Sequence, residues 1–144
     1  MRTVRDILAR KGTDVAAVSK DASVLDAARI MNERRIGALV VTTGDQVVGI
    51  FTERDVLNRV VAAQRSANTT RVGEVMTSPC ACCKPETALE ECRDVMTEKK
   101  IRHLPVVDAG RLCGMISIGD LMAAEAHNRQ TTIEYMHEYL YGRT

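Results

Sequence analysis

Gly49-Ile50-Phe51-Thr52-Glu53-Arg54-Asp55 returns 65 residues later as Gly114-Met115-Ile116-Ser117-Ile118-Gly119-Asp120. Each copy runs glycine, two apolar residues, a hydroxyl, two variable positions and aspartate. Such a repeat constrains the architecture before any local element is assigned, because both copies must fold alike. Sliding residues 21–57 onto 86–122 pairs Met31 with Met96, Glu33 with Glu98, Ile36 with Ile101, Leu39 with Leu104 and Val41 with Val106. Seven identities in 37 positions are few, so the substitutions carry the rest: Arg34-Arg35 becomes Lys99-Lys100, and Thr52 becomes Ser117. Upstream, Val4–Leu8 echoes Val72–Met76 at an offset of 68, which places a three-residue length change in between. The chain reads as two tandem copies of one unit.

Composition narrows the function classes. At 144 residues the chain is one domain in size and can bury a real core. A net charge of +1 supplies no single-sign field to steer it onto nucleic acid or an anionic membrane. Aromatics at 3 % with no Trp leave little for stacked bases. No apolar stretch is long enough for a membrane span, and the start, Met1-Arg2-Thr3-Val4-Arg5-Asp6, lacks a signal-peptide apolar region. Five cysteines, an odd number, need no disulfide framework. A reduced, cytoplasmic setting is the expectation.

Periodicity orders the elements. Thr3, with Asp6 three residues on, caps a first helix that Gly12 stops. Val15–Ser19 reads as a short strand, and Val24, Ala27, Ala28 and Met31 share one helical face. Ala38–Thr42 and Val47–Phe51 form a hairpin, and Asp55–Ala63 returns to helix. In the second copy the strand is Cys80–Lys84 and the helix Ala88–Glu98. His103–Asp108 and Leu112–Ile116 form the hairpin, and Asp120–His127 the last helix. Each unit is therefore β-α-β-β-α, an α/β (α+β) fold of two repeats. Pro105 inside a strand predicts an edge or a bulge. The expected division is a helix at 1–12, a first repeat at 13–63, a linker at 64–71, a second repeat at 72–127 and a helical tail at 128–144. In that tail Thr131 heads a capping box, and Ile133, Met136 and Leu140 make an apolar stripe fit for self-association.

Two readings fit the repeated motif. In the first, Thr52 caps a helix and Asp55 reaches back to an orphan backbone donor, with Ser117 and Asp120 doing the same. In the second, a ligand is added. A strand running into a helix N-terminus offers free N–H groups and a hydroxyl to a phosphate or ribose. A short carboxylate there can accept from both ribose hydroxyls. One charged hydrogen bond contributes about 1.5–3 kcal/mol, or roughly ten- to a hundredfold in affinity.

The order of elements, the segment Lys100-Ile101-Arg102-His103-Leu104-Pro105-Val106-Val107 and the two Gly-x-x-Thr/Ser-x-x-Asp ends together resemble a cystathionine-β-synthase (CBS) domain. The tandem pair is similar to a Bateman module over about residues 13–127. The resemblance implies two repeats packed about a pseudo-twofold axis, often paired as a homodimer, and adenosine ligands in the clefts between repeats. No catalysis is expected, because the sequence offers no nucleophile–base–orienter set, metal cluster or P-loop. The ligands it implies are AMP, ADP and ATP, with NAD or S-adenosylmethionine in some members, and a regulated partner protein acting in trans is the expectation. Carried over by position, one cleft takes Ser117 and Asp120 with Ala16, Ile36, Gly37 and Ala38 around adenine. The other takes Thr52, Arg54 and Asp55 with Ala81, Ile101, Arg102 and His103. The clefts differ: Gly37-Ala38 stands where the second copy has Arg102-His103, and Gly119 where the first has Arg54. A ligand-free dimerisation scaffold is the alternative. A further alternative is a thiol redox sensor through Cys80, Cys82 and Cys83, although no zinc-type spacing is present. Alignment of Cys80-Ala81-Cys82-Cys83 with Val15-Ala16-Ala17-Val18 instead reads these cysteines as small buried hydrophobes.

Overall fold

The computed structural model describes residues 1–128; the tail stripe at Ile133–Leu140 lies outside them. Helix α1 (Val4–Lys11) opens on Thr3 and closes at Gly12, whose φ of 94° only glycine adopts freely. The Asp6 carboxylate accepts the backbone N–H groups of Arg2 and Thr3, which hold its pKa below the usual carboxylate value. Strand β1 (Ala17–Ser19) leads into α2 (Val24–Arg34), the hairpin β2 (Ala38–Thr43) and β3 (Gln46–Thr52), and the short helix α3 (Glu53–Asp55). A π-helical run, Val56–Val61, continues α3. The second copy is α4 (Val72–Val75), α5 (Leu89–Lys99), β4 (His103–Asp108), β5 (Arg111–Ser117) and α6 (Ile118–Asn128).

β1 pairs parallel to β2, and β2 antiparallel to β3, giving a three-stranded sheet; β4 and β5 pair antiparallel. The expected strand Cys80–Lys84 is not a strand. Only Cys83 pairs, its N–H donating to the Pro105 carbonyl and its carbonyl accepting from Val107. The prolines at 79 and 85 bracket the segment and remove backbone donors on both sides. Cys83 and Val18 are equivalent, and so are their partners Val106 and Val41. Pro105 does lie beside a β-bulge, between Val106 and Val107. The first copy bulges at the same place, between Val41 and Thr42, with no proline. The bulge therefore belongs to the repeat. Two further equivalents, Arg35 and Lys100, end α2 and α5 in the left-handed region, with φ of 54° and 56°. A non-glycine residue there is strained by roughly 1–2 kcal/mol.

The copies exchange their leading helices. Val4, Ile7 and Leu8 of α1 sit in one core with Leu89, Cys92, Met96, Leu104 and Ile116 of the second copy. Val72 and Val75 of α4 sit in the other, with Val24, Met31, Leu39 and Phe51 of the first. Backbone bonds fix the exchange: Val4 N–H donates to the Thr87 carbonyl, and Val72 N–H to that of Ala22. The segment 64–71 is held as well, since Leu25 and Val24 donate to the carbonyls of Ala67 and Thr70, and Thr70 is buried.

Candidate functional site

Between the copies lies a cleft of about 690 Å³, within the range of small-molecule sites. The first copy contributes Gly37, Thr52, Glu53, Arg54, Asp55, Asn58 and Arg59; the second contributes Ala81, Lys99, Lys100, Ile101, Arg102 and His103. Thr77, Pro79 and Cys80 close one wall. All seven residues assigned by sequence to the Thr52–Asp55 cleft thus meet in one cavity. Five fixed cations (Arg54, Arg59, Lys99, Lys100, Arg102) face two carboxylates, Glu53 and Asp55. The cavity favours an anion.

The repeated hydroxyl and aspartate form capping boxes. Asp55 is 5 % exposed. Its carboxylate accepts from the Thr52 N–H at 3.0 Å and the Thr77 hydroxyl at 3.1 Å, and Arg59 Nε lies 3.7 Å away. Asp55 N–H in turn donates to Thr52 Oγ1. The first reading of the motif is therefore realised, and the side chain that makes the cap also lines the cleft. The motif's glycine serves packing: a Cβ on Gly49 would sit 2.7 Å from Met76 Sδ and 2.8 Å from the Thr77 carbonyl oxygen.

Arg59 escaped the sequence analysis. It donates to the Met76 carbonyl at 2.7 Å and braces Asp55 from four residues along the same helical run. That i, i+4 spacing from a motif aspartate was its only sequence signal. The π-helical geometry, seen in the bond from Ala62 N–H to the Leu57 carbonyl, carries Asn58 and Arg59 to the cleft. Such local widening is frequent at functional sites. The α6 helix of the second copy is α-helical throughout.

The second predicted group is arranged differently. Asp120 accepts from the Ser117 N–H at 2.8 Å and from Lys11 Nζ at 2.8 Å, and Lys11 also donates to the Met115 carbonyl. An ammonium from α1 thus occupies the carboxylate. Ala38 is buried in β2, paired with Thr52, while Ala16 and Ile36 lean on the first core. Gly37, assigned with these by sequence, lines the cleft of Thr52 and Asp55, where a Cβ would lie 3.3 Å from the Glu53 carboxyl carbon. His103 pairs with Ser117 across β4 and β5. Burial pushes its pKa below the ordinary value, and the carboxylates of Asp120 and Glu53 oppose that. Its contribution to stability is complete above about pH 6.5 and is lost as pH falls toward its folded value, because only the unfolded imidazole then takes a proton readily.

The cysteines divide. Cys83 is a core residue, as expected, and so is Cys92, at the position equivalent to the buried Ala27. Cys82 is exposed and Cys80 half-buried, so these two are not buried hydrophobes. Irregular backbone in place of the expected strand leaves them outside the core.

The family model for the CBS domain matches residues 4–62 and again 72–127. The chain belongs to the CBS-domain family. It is 34 % identical to the mitochondrial CBS domain-containing protein CBSX3 of Arabidopsis thaliana over 97 % of this chain and 72 % of that protein. To the CBS domain-containing protein YhcV of Bacillus subtilis (strain 168) it is 33 % identical, over 89 % of each chain. The solved structure of a protein with CBS domains from Burkholderia ambifaria MC40-6 superposes with a TM-score of 0.81 at 46 % identity, covering 85 % of this chain and 92 % of that one. The match in fold and in family supports a regulatory, ligand-sensing module in general. Among the described residues no helix is long and apolar enough to cross a membrane, and no group of three or more metal-ligating side chains occurs.

Proposed function

We propose that this CBS pair binds an adenine nucleotide (AMP, ADP, ATP or NAD) in the cleft of Thr52 and Asp55, and regulates a partner protein in trans by binding alone. The observation that carries the reading is the cationic cleft of about 690 Å³, to which both copies contribute. Ile101 and Ala81 offer apolar contact to a base. Arg54 and Arg102, both exposed, offer planar forks to phosphate. Ribose hydroxyls would take the place of the Thr77 hydroxyl on Asp55. A ligand touching both copies selects one packing of the two, and a partner reads that packing. The Lys11–Asp120 pair leaves the other cleft the weaker site, so one nucleotide per chain is expected.

A thermal-shift panel of AMP, ADP, ATP and NAD tests this. A bound member should stabilise the fold by about 2.7 kcal/mol at a hundredfold excess over Kd, and Arg102→Ala should weaken it about tenfold. Phosphate beside His103 raises the pKa that burial lowers, so affinity should rise from pH 8 to pH 6 with proton uptake. No shift with any member would sink the reading.

The pair is also read as a homodimer. Leu57 and Met122 are equivalent across the offset, and stand 61 % and 64 % exposed. An exposed large apolar side chain at the same position of each copy suits self-association about a twofold axis. Leu57→Glu combined with Met122→Glu should halve the mass measured by sedimentation; an unchanged mass would place any interface elsewhere.

A further inference from the structure

The two thiols outside the core have a geometry of their own. Cys80 Sγ and Cys82 Sγ lie 3.8 Å apart, so modest side-chain and backbone rotation would reach the ~2.05 Å of a disulfide. No strand ladder holds residues 80–82, so that rotation breaks no ladder bond. Cys82 is open to solvent, and Cys80 stands in the cleft wall. Cys82 Sγ also lies 3.8 Å from the Cys80 carbonyl within the same segment, whereas Cys83 and Cys113 donate to the carbonyls of β4, at Pro105 and Val106. The Cys80 thiol hydrogen-bonds to Cys82, which holds Cys82 down to about 7 and pushes Cys80 up. An exposed thiolate with a protonated thiol beside it is the arrangement of an attacking and a resolving cysteine.

We propose that Cys80 and Cys82 form a reversible disulfide in the cleft wall by exchange with a low-molecular-weight disulfide, and that closing it weakens ligand binding there. The Cys82 thiolate attacks one sulfur of the small disulfide, whose S–S bond breaks and releases a thiolate. Cys80 gives up its proton and attacks Cys82 Sγ in the mixed disulfide, expelling the second small thiol. Two protein thiols are oxidised and one small disulfide is reduced to two thiols; excess thiol reverses the sequence. Ala81, between the two sulfurs, lines the cleft, so closure turns a ligand-facing wall. The binding half of the proposal rests on the nucleotide reading, whereas the thiol chemistry does not.

Oxidised glutathione is the probe, with peptide mass mapping and thiol titration as readouts. Free thiols should fall from five to three, with the new bond between Cys80 and Cys82. Cys82→Ser should abolish the bond, and the remaining exchange at Cys80 should consume oxidised glutathione roughly five- to tenfold more slowly, the larger thiolate fraction of Cys82 being partly offset by its weaker nucleophilicity. Cys80→Ser should stop at a glutathione adduct on Cys82. The oxidised protein should bind AMP or ADP roughly fivefold or more weakly than the reduced one. No disulfide, or one through Cys83, overturns the proposal, and so does a Cys80–Cys82 bond that leaves affinity unchanged. If the reduced protein binds no adenine nucleotide, the functional reading falls and the mapped bond still decides the thiol chemistry.

Discussion

Asp55→Ala is expected to lower folding stability by about 3 kcal/mol, and Asp120→Ala, its equivalent, by only about 1 kcal/mol. The difference follows from burial. Asp55 is buried and accepts from the Thr52 N–H and the Thr77 hydroxyl, with Arg59 beside it. Removing it leaves a backbone donor, a hydroxyl and a guanidinium with lost partners in a half-dry place. The Asp120 side chain is 23 % exposed, and its Lys11 partner 39 %, so water can replace much of what is lost. Urea unfolding of both variants without ligand measures the pair of values. Equal losses would contradict the burial argument. The result also sets a condition on binding studies, because an Asp55 variant that binds no nucleotide has lost part of its scaffold too; Arg102→Ala, exposed and uninvolved in a cap, is the cleaner probe.

The motif's glycines should separate just as clearly. Gly49→Ala forces a methyl to 2.8 Å from the Thr77 carbonyl oxygen, a backbone atom held by the paired bonds between Ile50 and Thr77. Nothing there can yield cheaply, and a loss of about 3 kcal/mol is expected. For Gly114→Ala the nearest atoms all belong to the Leu8 side chain, the closest a methyl 2.7 Å away. A leucine tip can change rotamer, so about 1 kcal/mol is expected. Thermal unfolding of the two variants, compared directly, is sufficient. A reversed order would mean that α1 is held more rigidly against β5 than α4 is against β3.

Both results concern residues found by reading the repeat, and the boundary of that reading is physical. Helices and hairpins were legible within a residue or two, because their apolar spacings of 3.6 and 2 differ sharply. Thr3, Thr52 and Ser117 were legible as caps because a hydroxyl with a carboxylate three residues on has one common geometric use. The strand at Cys80–Lys84 was misread because its apolar residues resemble a ladder, while flanking prolines and tertiary pairing decide that only Cys83 joins. Arg35 and Lys100 carry no sign of left-handed backbone, since neither is glycine. The Lys11–Asp120 contact spans 109 positions and could not be foreseen from spacing. In the site, motif residues were visible and their helpers were not: Arg59, Asn58 and Thr77 reach the cleft through a π-helical run and an isolated bridge to Ile50.

The exchanged helices change what counts as half of this molecule. A cut through residues 64–71 yields two pieces that match the sequence repeat, yet neither is complete. The first piece carries Val4, Ile7 and Leu8, whose apolar face belongs in the other's core, and lacks Val72 and Val75, which close its own. Each half is thus the other's missing part. The unit written twice in the sequence is not the unit that buries itself, and the cleft between copies is clasped from both sides by the chain that forms it.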